Sequence, residues 1–519
     1  MPIDDQRHQQ ILDALIELLG EDYVFDDPAV VACYRREGQS PSYTTPMNPE
    51  FVVFPADTGQ VQAIVRLANR LAFPYSFSCT GTLGAYAAAT KPYWCWIDPK
   101  RMNALQIDAE NMYAVVEPYV SHAEVGAEAR KVGLYNANPS AGGQTSCLAN
   151  HIALGTQTTA YRTGRASKNV LGVEMVLANG EILRTGTLAM GGHSYFWGEG
   201  PGPDLRGIIR SHAGHLGALG IVTRAAIKLF PWPGPARLET RGAAPAKECS
   251  LPGDTFQWKL VRYSTLADGI RAVRMVCKAE LGRVLSLFAP WNISHHYSKS
   301  REEYWRLWNS GWFDRFGYCL VIGIWGIASN RQVQYESRVL DRIVEHTGGE
   351  YMETEIAEDW IRHVANRNVI DPLASRAQRI PIGVPPSPAG GIFYDSLTDA
   401  ERLVPEEERL AAWVVPFDLG HFALLSVFPE PGAGDKSAEC EEAMKKFGMQ
   451  LFMKNKEKDM ADANTLGAPI NQSAPVFGSR IHHLVARLKR HLDPHNVANP
   501  GRFINMEAME QAEEKPSTG

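Results

Sequence analysis

The chain has 519 residues, 45% of them hydrophobic and 21% charged, with a formal net charge of −6 at pH 7. That length exceeds what one hydrophobic core serves, so two or more domains are expected, and the ordinary composition excludes a disordered or fibrous chain. The mild negative charge, with its basic residues spread out, argues against nucleic acid or an anionic membrane as partner.

The N-terminus, MPIDDQRHQQ, lacks a basic stretch followed by an apolar core, so no signal peptide is expected. A cytoplasmic protein follows, with periplasmic export alongside a partner as the alternative. Apolar runs such as Cys319–Trp325 are too short to span a bilayer. The 8 cysteines include no C-x-x-C pair, which points to buried thiols rather than to zinc or iron–sulfur sites.

Residues 11–19 carry apolar side chains at helical spacing and stop at Gly20. Next come a strand (Phe51–Phe54), a helix (Thr58–Arg70) and a strand (Tyr75–Ser78), an α/β rhythm. Further strands are predicted at Cys95–Ile97, Tyr113–Val116, Gly172–Leu177 and Gly220–Leu229, with helices at His122–Val132 and Asp204–Ser211. Asn179-Gly180 marks a hairpin turn between Val173–Leu177 and Ile182–Thr185.

The Pro/Gly break at Phe230–Pro235 reads as a domain boundary. Beyond it, 236–474 is rich in Trp, Tyr and Arg, with helical runs at 266–280 and 331–347. A last helix, Ser479–His491, ends at Asp493-Pro494, and the acidic tail after Ile504 reads as weakly ordered.

Three segments carry ligand chemistry. The small-residue loop Ser78–Tyr86 brings backbone N–H groups toward an anion such as a pyrophosphate. In Asn138–Gln144, Gly142 and Gly143 permit close approach of the backbone to a flat ligand. In Gly200–Gly207 and Leu216–Thr223, a helix leads through a glycine turn into an apolar strand. Taken singly, the first is a weak signal, because Gly-containing loops are common, and an ordinary tight turn is the favoured reading of the second.

In sequence, TGTLGAY, IDPKRMN, YAVVEP, NPSAGGQ, GVEMVLANGEILRTG, GPGPDLRG, LGIVT and LDPHNVANPGRF resemble the FAD-binding domain of the vanillyl-alcohol oxidase / para-cresol methylhydroxylase flavoprotein superfamily. The resemblance covers residues 20–235 and 478–503 and is much weaker over 236–474. It implies an α+β fold: a two-subdomain FAD-binding domain of the para-cresol methylhydroxylase type (1–235), an α+β cap or substrate domain (236–474), and a C-terminal segment (475–519) returning to the FAD domain. FAD is the implied cofactor, held by Thr80, Gly81, Thr82, Leu83, Gly84, Ser140, Gly142, Gly143, Gly220, Ile221, Val222, Tyr394 and Arg502.

The 4-alkylphenol-oxidising members are the nearest in character, which implies an aromatic small-molecule substrate and a role in aromatic catabolism. Those members hold a phenolate with two tyrosines and an arginine; Tyr86 and Arg502 match two of these as catalytic residues, while the adjacent Tyr-Arg pair falls near Phe452-Met453 here. The implied substrate-binding set is Tyr86, Phe452, Arg502 and Tyr394. Tyr394 matches the tyrosine that para-cresol methylhydroxylase bonds covalently to FAD; a buried or pocket tyrosine without that bond is the favoured reading. The resemblance further implies a homodimer and admits a c-type cytochrome as electron acceptor.

Other residues depart from the family pattern. The loop is poorer in glycine than usual, and Tyr119 stands where a glycine is expected, so bulk there is expected to crowd a backbone turn. His151, His193, His212 and His215 fall near the expected flavin; a structural or surface role is the favoured reading of each, with proton transfer or flavin tuning as the alternative. Arg162 and Arg165 are read equally as ligand-binding or surface residues. No metal site is expected, and the absence from the cap of the H-x-x-H arrangement of flavin D-2-hydroxyacid dehydrogenases counts against D-lactate or glycolate. Oxidation of a non-phenolic alcohol or hydroxy acid, and a flavin-poor scaffold subunit, stand as alternatives to the phenolic reading.

Overall fold

The computed structural model describes residues 4–35, 47–81, 87, 89–137, 143–154, 159–186, 189, 205–210, 214–241, 248–290, 301–312, 314–352, 392–394, 412–427 and 469–514. The first helix, Asp5–Leu19, is capped by Asp4, whose side chain accepts from the Gln6 N–H at 3.0 Å. It buries Ile11, Leu15 and Leu19 in one core with Val61, Ile64, Val65 and Ala68 of the helix Thr58–Leu71. That core also covers a four-stranded sheet ordered Val24–Phe25, Phe51–Val53, Cys95–Ile97, Tyr75–Phe77. Its last three strands run parallel, and Phe51, Val52 and Val53 are wholly buried, as parallel strands covered on both faces must be.

A second, antiparallel sheet is ordered Leu105–Asp108, Tyr113–Val116, Gly220–Lys228, Val170–Leu177, Ile182–Arg184. The hairpin closes at Asn179-Gly180 with Gly180 at φ +84°, the left-handed region its turn demands. Buried Glu174 ties this sheet to the helix Thr58–Leu71: it accepts from the Thr58 hydroxyl at 2.8 Å and pairs with Arg184 of the next strand at 2.9 Å.

A seven-stranded antiparallel sheet follows, ordered Glu350–Tyr351, Phe256–Tyr263, Tyr318–Trp325, Val284–Phe288, Ala412–Phe417, Phe422–Val427, Ile392–Tyr394. The helices Leu266–Lys278 and Asn330–Thr347 pack on it through Ile270, Val273, Leu340 and Ile343. At the predicted break, Trp232 stacks edge-on against Trp325 at 5.7 Å and lies 5.1 Å from Phe256, so an aromatic cluster joins this sheet to the preceding unit. Arg162 adds a polar tie, donating from Nε to the Gly282 carbonyl at 2.8 Å and from its guanidinium to the Glu280 carbonyl. Both of its contacts lie at the end of the helix Leu266–Lys278, a structural role rather than a ligand-binding one.

The C-terminal helix Ile481–Leu492 returns to the first unit. Lys489, 1% exposed, is ion-paired with Asp493 and donates to the carbonyls of Ala218 (2.9 Å) and Ala498 (2.6 Å). Asp493 in turn accepts from the backbone N–H groups of Val497 and Ala498, each at 2.9 Å. The chain beyond then runs beside the strand Tyr75–Phe77: Tyr75 N–H donates to Val497 O at 2.8 Å and Asn499 N–H to Tyr75 O at 2.7 Å.

The tail is a correction. Residues Met506–Glu514 form a helix, because Met506 and Met509, three apart on one face, bury against Ala486 and Ile504. Tyr119 is a second correction: it is half-buried, its N–H donates to Met102 O at 3.0 Å, and its φ is not left-handed, so the turn accepts a side chain there. Among the described residues, no helix is long and apolar enough to cross a membrane.

Removing one partner of a buried, hydrogen-bonded pair strands the other. Lys489→Met is therefore expected to lower unfolding free energy by about 3–5 kcal/mol. Lys131→Ala, which breaks an exposed pair with Glu128, should change it by less than about 1 kcal/mol. Urea unfolding of both variants checks this; equal midpoints would remove the clamp.

Candidate active site

Three walls meet in one cleft. The strand Tyr75–Phe77 runs into the loop Ser78–Gly81, which forms the first wall. The second is the helical stretch that begins at Cys147 and continues through Leu154. Ser146 caps it, accepting from Ala149 N–H at 3.1 Å while its hydroxyl donates to Pro118 O at 2.6 Å. Ser146 N–H also donates to the Thr80 hydroxyl at 3.0 Å, which ties the first two walls together.

The third wall is the turn Gly214–Gly220 and the start of the strand behind it. Leu216 (φ +48°) and Gly217 (φ +79°) are left-handed, and Gly220 at φ +141° lies so close to its neighbour strand that a Cβ would meet Val176 O at 2.3 Å. This turn is held from outside by Lys489 at Ala218 O and by the Asn499 side chain at Leu216 O.

The cleft holds about 1100 Å³ of atom-free space, part of it open to solvent. Phe77, Leu148, Ile152, Ile221 and Val222 give it apolar faces. Two buried polar side chains also line it: among the described residues, the Asn150 amide nitrogen and both ring nitrogens of His215 have no hydrogen-bond partner. Buried polar groups are ordinarily paired, so these atoms call for a polar ligand between apolar walls. FAD, with a flat ring and a polar tail, suits that donor set.

Burial pushes the His215 pKa down to about 4, with the Lys489 charge acting in the same direction, so the ring is neutral at neutral pH. Behind the cleft, His122, Cys147 and His151 gather, fully buried, with ligand-type atoms within 4.8 Å of one another. His151 Nδ1–H donates to Cys147 O at 2.7 Å, and the Asn136 amide lies 2.8 Å from His122 Nδ1. The Asn136 side chain also hydrogen-bonds the Cys147 thiol, while His122 Nε2 has no partner among the described residues.

Of the residues singled out by sequence, Thr80, Gly81, Gly220, Ile221 and Val222 line this cleft. Gly143 stands one turn before the second wall, its carbonyl accepting from Ala123 N–H at 2.9 Å. Arg502 is half-buried just after Gly501 and is not among the described residues that line the cleft; burial lowers its pKa. Tyr394 pairs with Ala423 on the cap sheet, but its side chain lies outside the described residues. Thr82, Leu83, Gly84, Tyr86, Ser140, Gly142, Phe452, His193 and His212 also lie outside them.

Sequence reasoning missed Ser146 and Asn150. The Ser-x-x-Ala capping pattern at 146–149 was available as a signal; nothing in the sequence marks Asn150.

Residues 49–186 match the FAD binding domain family, a span that includes the first two walls. A probable D-lactate dehydrogenase of Danio rerio is 28% identical over 206 residues, 39% of each protein. The 4-cresol dehydrogenase flavoprotein subunit of Pseudomonas putida is 30% identical over 195 residues, 36% of each. The glycolate oxidase subunit of Bacillus subtilis is 28% identical over 230 residues, 43% of this chain and 46% of that one. The chain thus spans less than half the length of the curated relatives it matches. A solved p-cresol methylhydroxylase with substrate bound superposes with TM-score 0.74 at 18% identity, covering 97% of this chain and 98% of the other. A 4-ethylphenol oxidase of Gulosibacter chungangensis superposes with TM-score 0.73 at 20% identity, with the same coverage.

Burial lowers the pKa of His151 and of His215 to about 4 from the unfolded value of 6.5, and that of His122 well below 6.5. The unfolded chain therefore binds more protons in that window. Stability from these groups is complete above about pH 6.5 and falls as the pH drops toward 4. Urea midpoints of the cofactor-free protein should decline from pH 7 to pH 5, and His151→Gln should flatten the decline.

Proposed function

We propose that this chain, whose residues 49–186 match the FAD binding domain family and whose fold is similar to that of p-cresol methylhydroxylase, is an FAD-linked oxidoreductase of the vanillyl-alcohol oxidase / para-cresol methylhydroxylase superfamily that dehydrogenates a phenolic or aryl-alkyl substrate. The observation that carries this reading is the cleft itself: its walls lie on the motifs that match the FAD-binding family, and its unpaired buried nitrogens need a polar ligand. Bound FAD supplies the two-electron acceptor for a hydride leaving the substrate's benzylic carbon.

The chain's own part is to hold and polarise the substrate. In this proposal Tyr86 and Arg502 bind its acidic oxygen. A free phenol ionises near pH 10, and a guanidinium in a water-poor setting favours the anion. That negative charge pushes electrons toward the bond that must break. Phe452 and Tyr394 line the substrate's ring, and Phe452 offers no hydroxyl of its own, so Tyr86 and Arg502 carry the anion alone. The correspondence in fold with phenol-oxidising enzymes over nearly the whole chain supports this reading. A homodimer, and reoxidation by oxygen or a c-type cytochrome, belong to the same proposal.

A second reading is oxidation of a 2-hydroxy acid. The D-lactate and glycolate enzymes among the relatives favour it, although those matches cover less than half of this chain. The flavin-poor scaffold alternative loses its ground, because the FAD-binding match spans the first two cleft walls.

The purified protein is expected to carry flavin absorption and to oxidise 4-alkylphenols. Tyr86→Phe and Arg502→Ala should each cut kcat/KM by about tenfold or more, the cost of one hydrogen bond to a charged group, with FAD content unchanged in Tyr86→Phe. O-methylation of the phenol should abolish turnover. Equal rates on methylated phenols, or preferential oxidation of D-lactate, would replace the phenolic reading with the second one.

A further inference from the structure

We propose that His215 is a cofactor-binding residue: its imidazole, with the Asn150 amide as a second donor, hydrogen-bonds to FAD from the cleft wall and sets how tightly the cofactor is held. This rests on the reading of the cleft as an FAD site.

Four described histidines are buried, His122, His151, His215 and His482, and they differ in one respect. His151 donates to the Cys147 carbonyl, and His122 meets the Asn136 amide. Each thus has a partner inside the protein. His215 is 4% exposed and lines the cleft, and neither of its ring nitrogens has a partner among the described residues. His122 leaves only Nε2 unpaired and His482 only Nδ1, so His215 alone of the four has both nitrogens unmet. One whose nitrogens are left for something else, on a cavity wall, faces a ligand.

The turn that carries His215 cannot swing it elsewhere. Ala218 N–H donates to His215 O at 2.8 Å, Lys489 holds Ala218 O, and Asn499 holds Leu216 O. The backbone that carries the ring is thus fixed before any ligand arrives. A neutral imidazole offers one donor and one acceptor, and the Asn150 amide nitrogen offers donors only. Acceptors and hydroxyls together, as FAD presents along its ring edge and ribityl chain, satisfy all of them.

The test is binding rather than turnover. Full-length apoprotein, produced without riboflavin, is titrated with FAD by fluorescence, and its melting is followed with and without FAD. His215→Phe removes the unpaired nitrogens, so the cofactor-free protein should melt at or above the wild-type temperature. Its Kd for FAD should nevertheless rise about tenfold or more, and the melting shift on FAD addition should shrink. His215→Gln, which restores a donor and an acceptor, should recover most of the affinity. If phenylalanine does not fit, His215→Ala carries the same affinity readings.

An FAD Kd within about twofold of wild type in the Phe and Ala variants overturns the proposal. So does a loss of apoprotein stability with FAD affinity intact, since that marks a structural histidine. Failure of the wild-type chain itself to bind FAD would overturn the cofactor reading as well, which separates the two failures.

Discussion

Lys489 never meets water, and the cleft depends on it. Its ammonium is shared among Asp493, Ala218 O and Ala498 O, so one buried cation fixes the C-terminal segment and the turn that forms the third wall. The same segment lies along the strand Tyr75–Phe77, from which the first wall emerges. Burying a charge is costly unless the surroundings saturate it, and here carbonyls and a carboxylate do so. The arrangement gives positional accuracy to two loops whose glycines and left-handed residues would otherwise leave them loose.

The half of the molecule around the cleft was readable because its signals are local. Asn179-Gly180 dictates its hairpin, the apolar spacing of residues 11–19 its first helix, and apolar runs such as Phe51–Val53 a buried strand. Strands Cys95–Ile97 and Tyr113–Val116 appear with the boundaries read from sequence. The tail was misread because its acidic composition outweighed two methionines, Met506 and Met509, whose value lies in a groove beside Ala486 and Ile504 that no local pattern reveals. Tyr119 was misread for a related reason: a glycine expected from family likeness was taken as a backbone requirement, yet the turn needs no left-handed residue there.

The site divides along the same line. Thr80, Gly81 and Gly220–Val222 were visible as loop and turn chemistry, since glycine placement reports backbone geometry. Asn150 and the role of His215 were not, because what matters is a missing partner, and an unmet hydrogen bond is a property of three-dimensional surroundings. The family match lies at 49–186, over the first two walls of the cleft, whereas the likeness to solved structures covers 97% of the chain at 18% identity.

The clamp also sets an order of events during biosynthesis. The walls of the cleft are drawn from residues 77–222, but the lysine and asparagine that lock the third wall are Lys489 and Asn499, made more than half a chain later. Between them the ribosome must deliver the entire seven-stranded sheet. The first two sheets can form early on the nascent chain, yet the turn carrying His215 reaches its final position only once synthesis is nearly complete. A chain that stops short of Lys489 lacks both of the contacts that hold this turn.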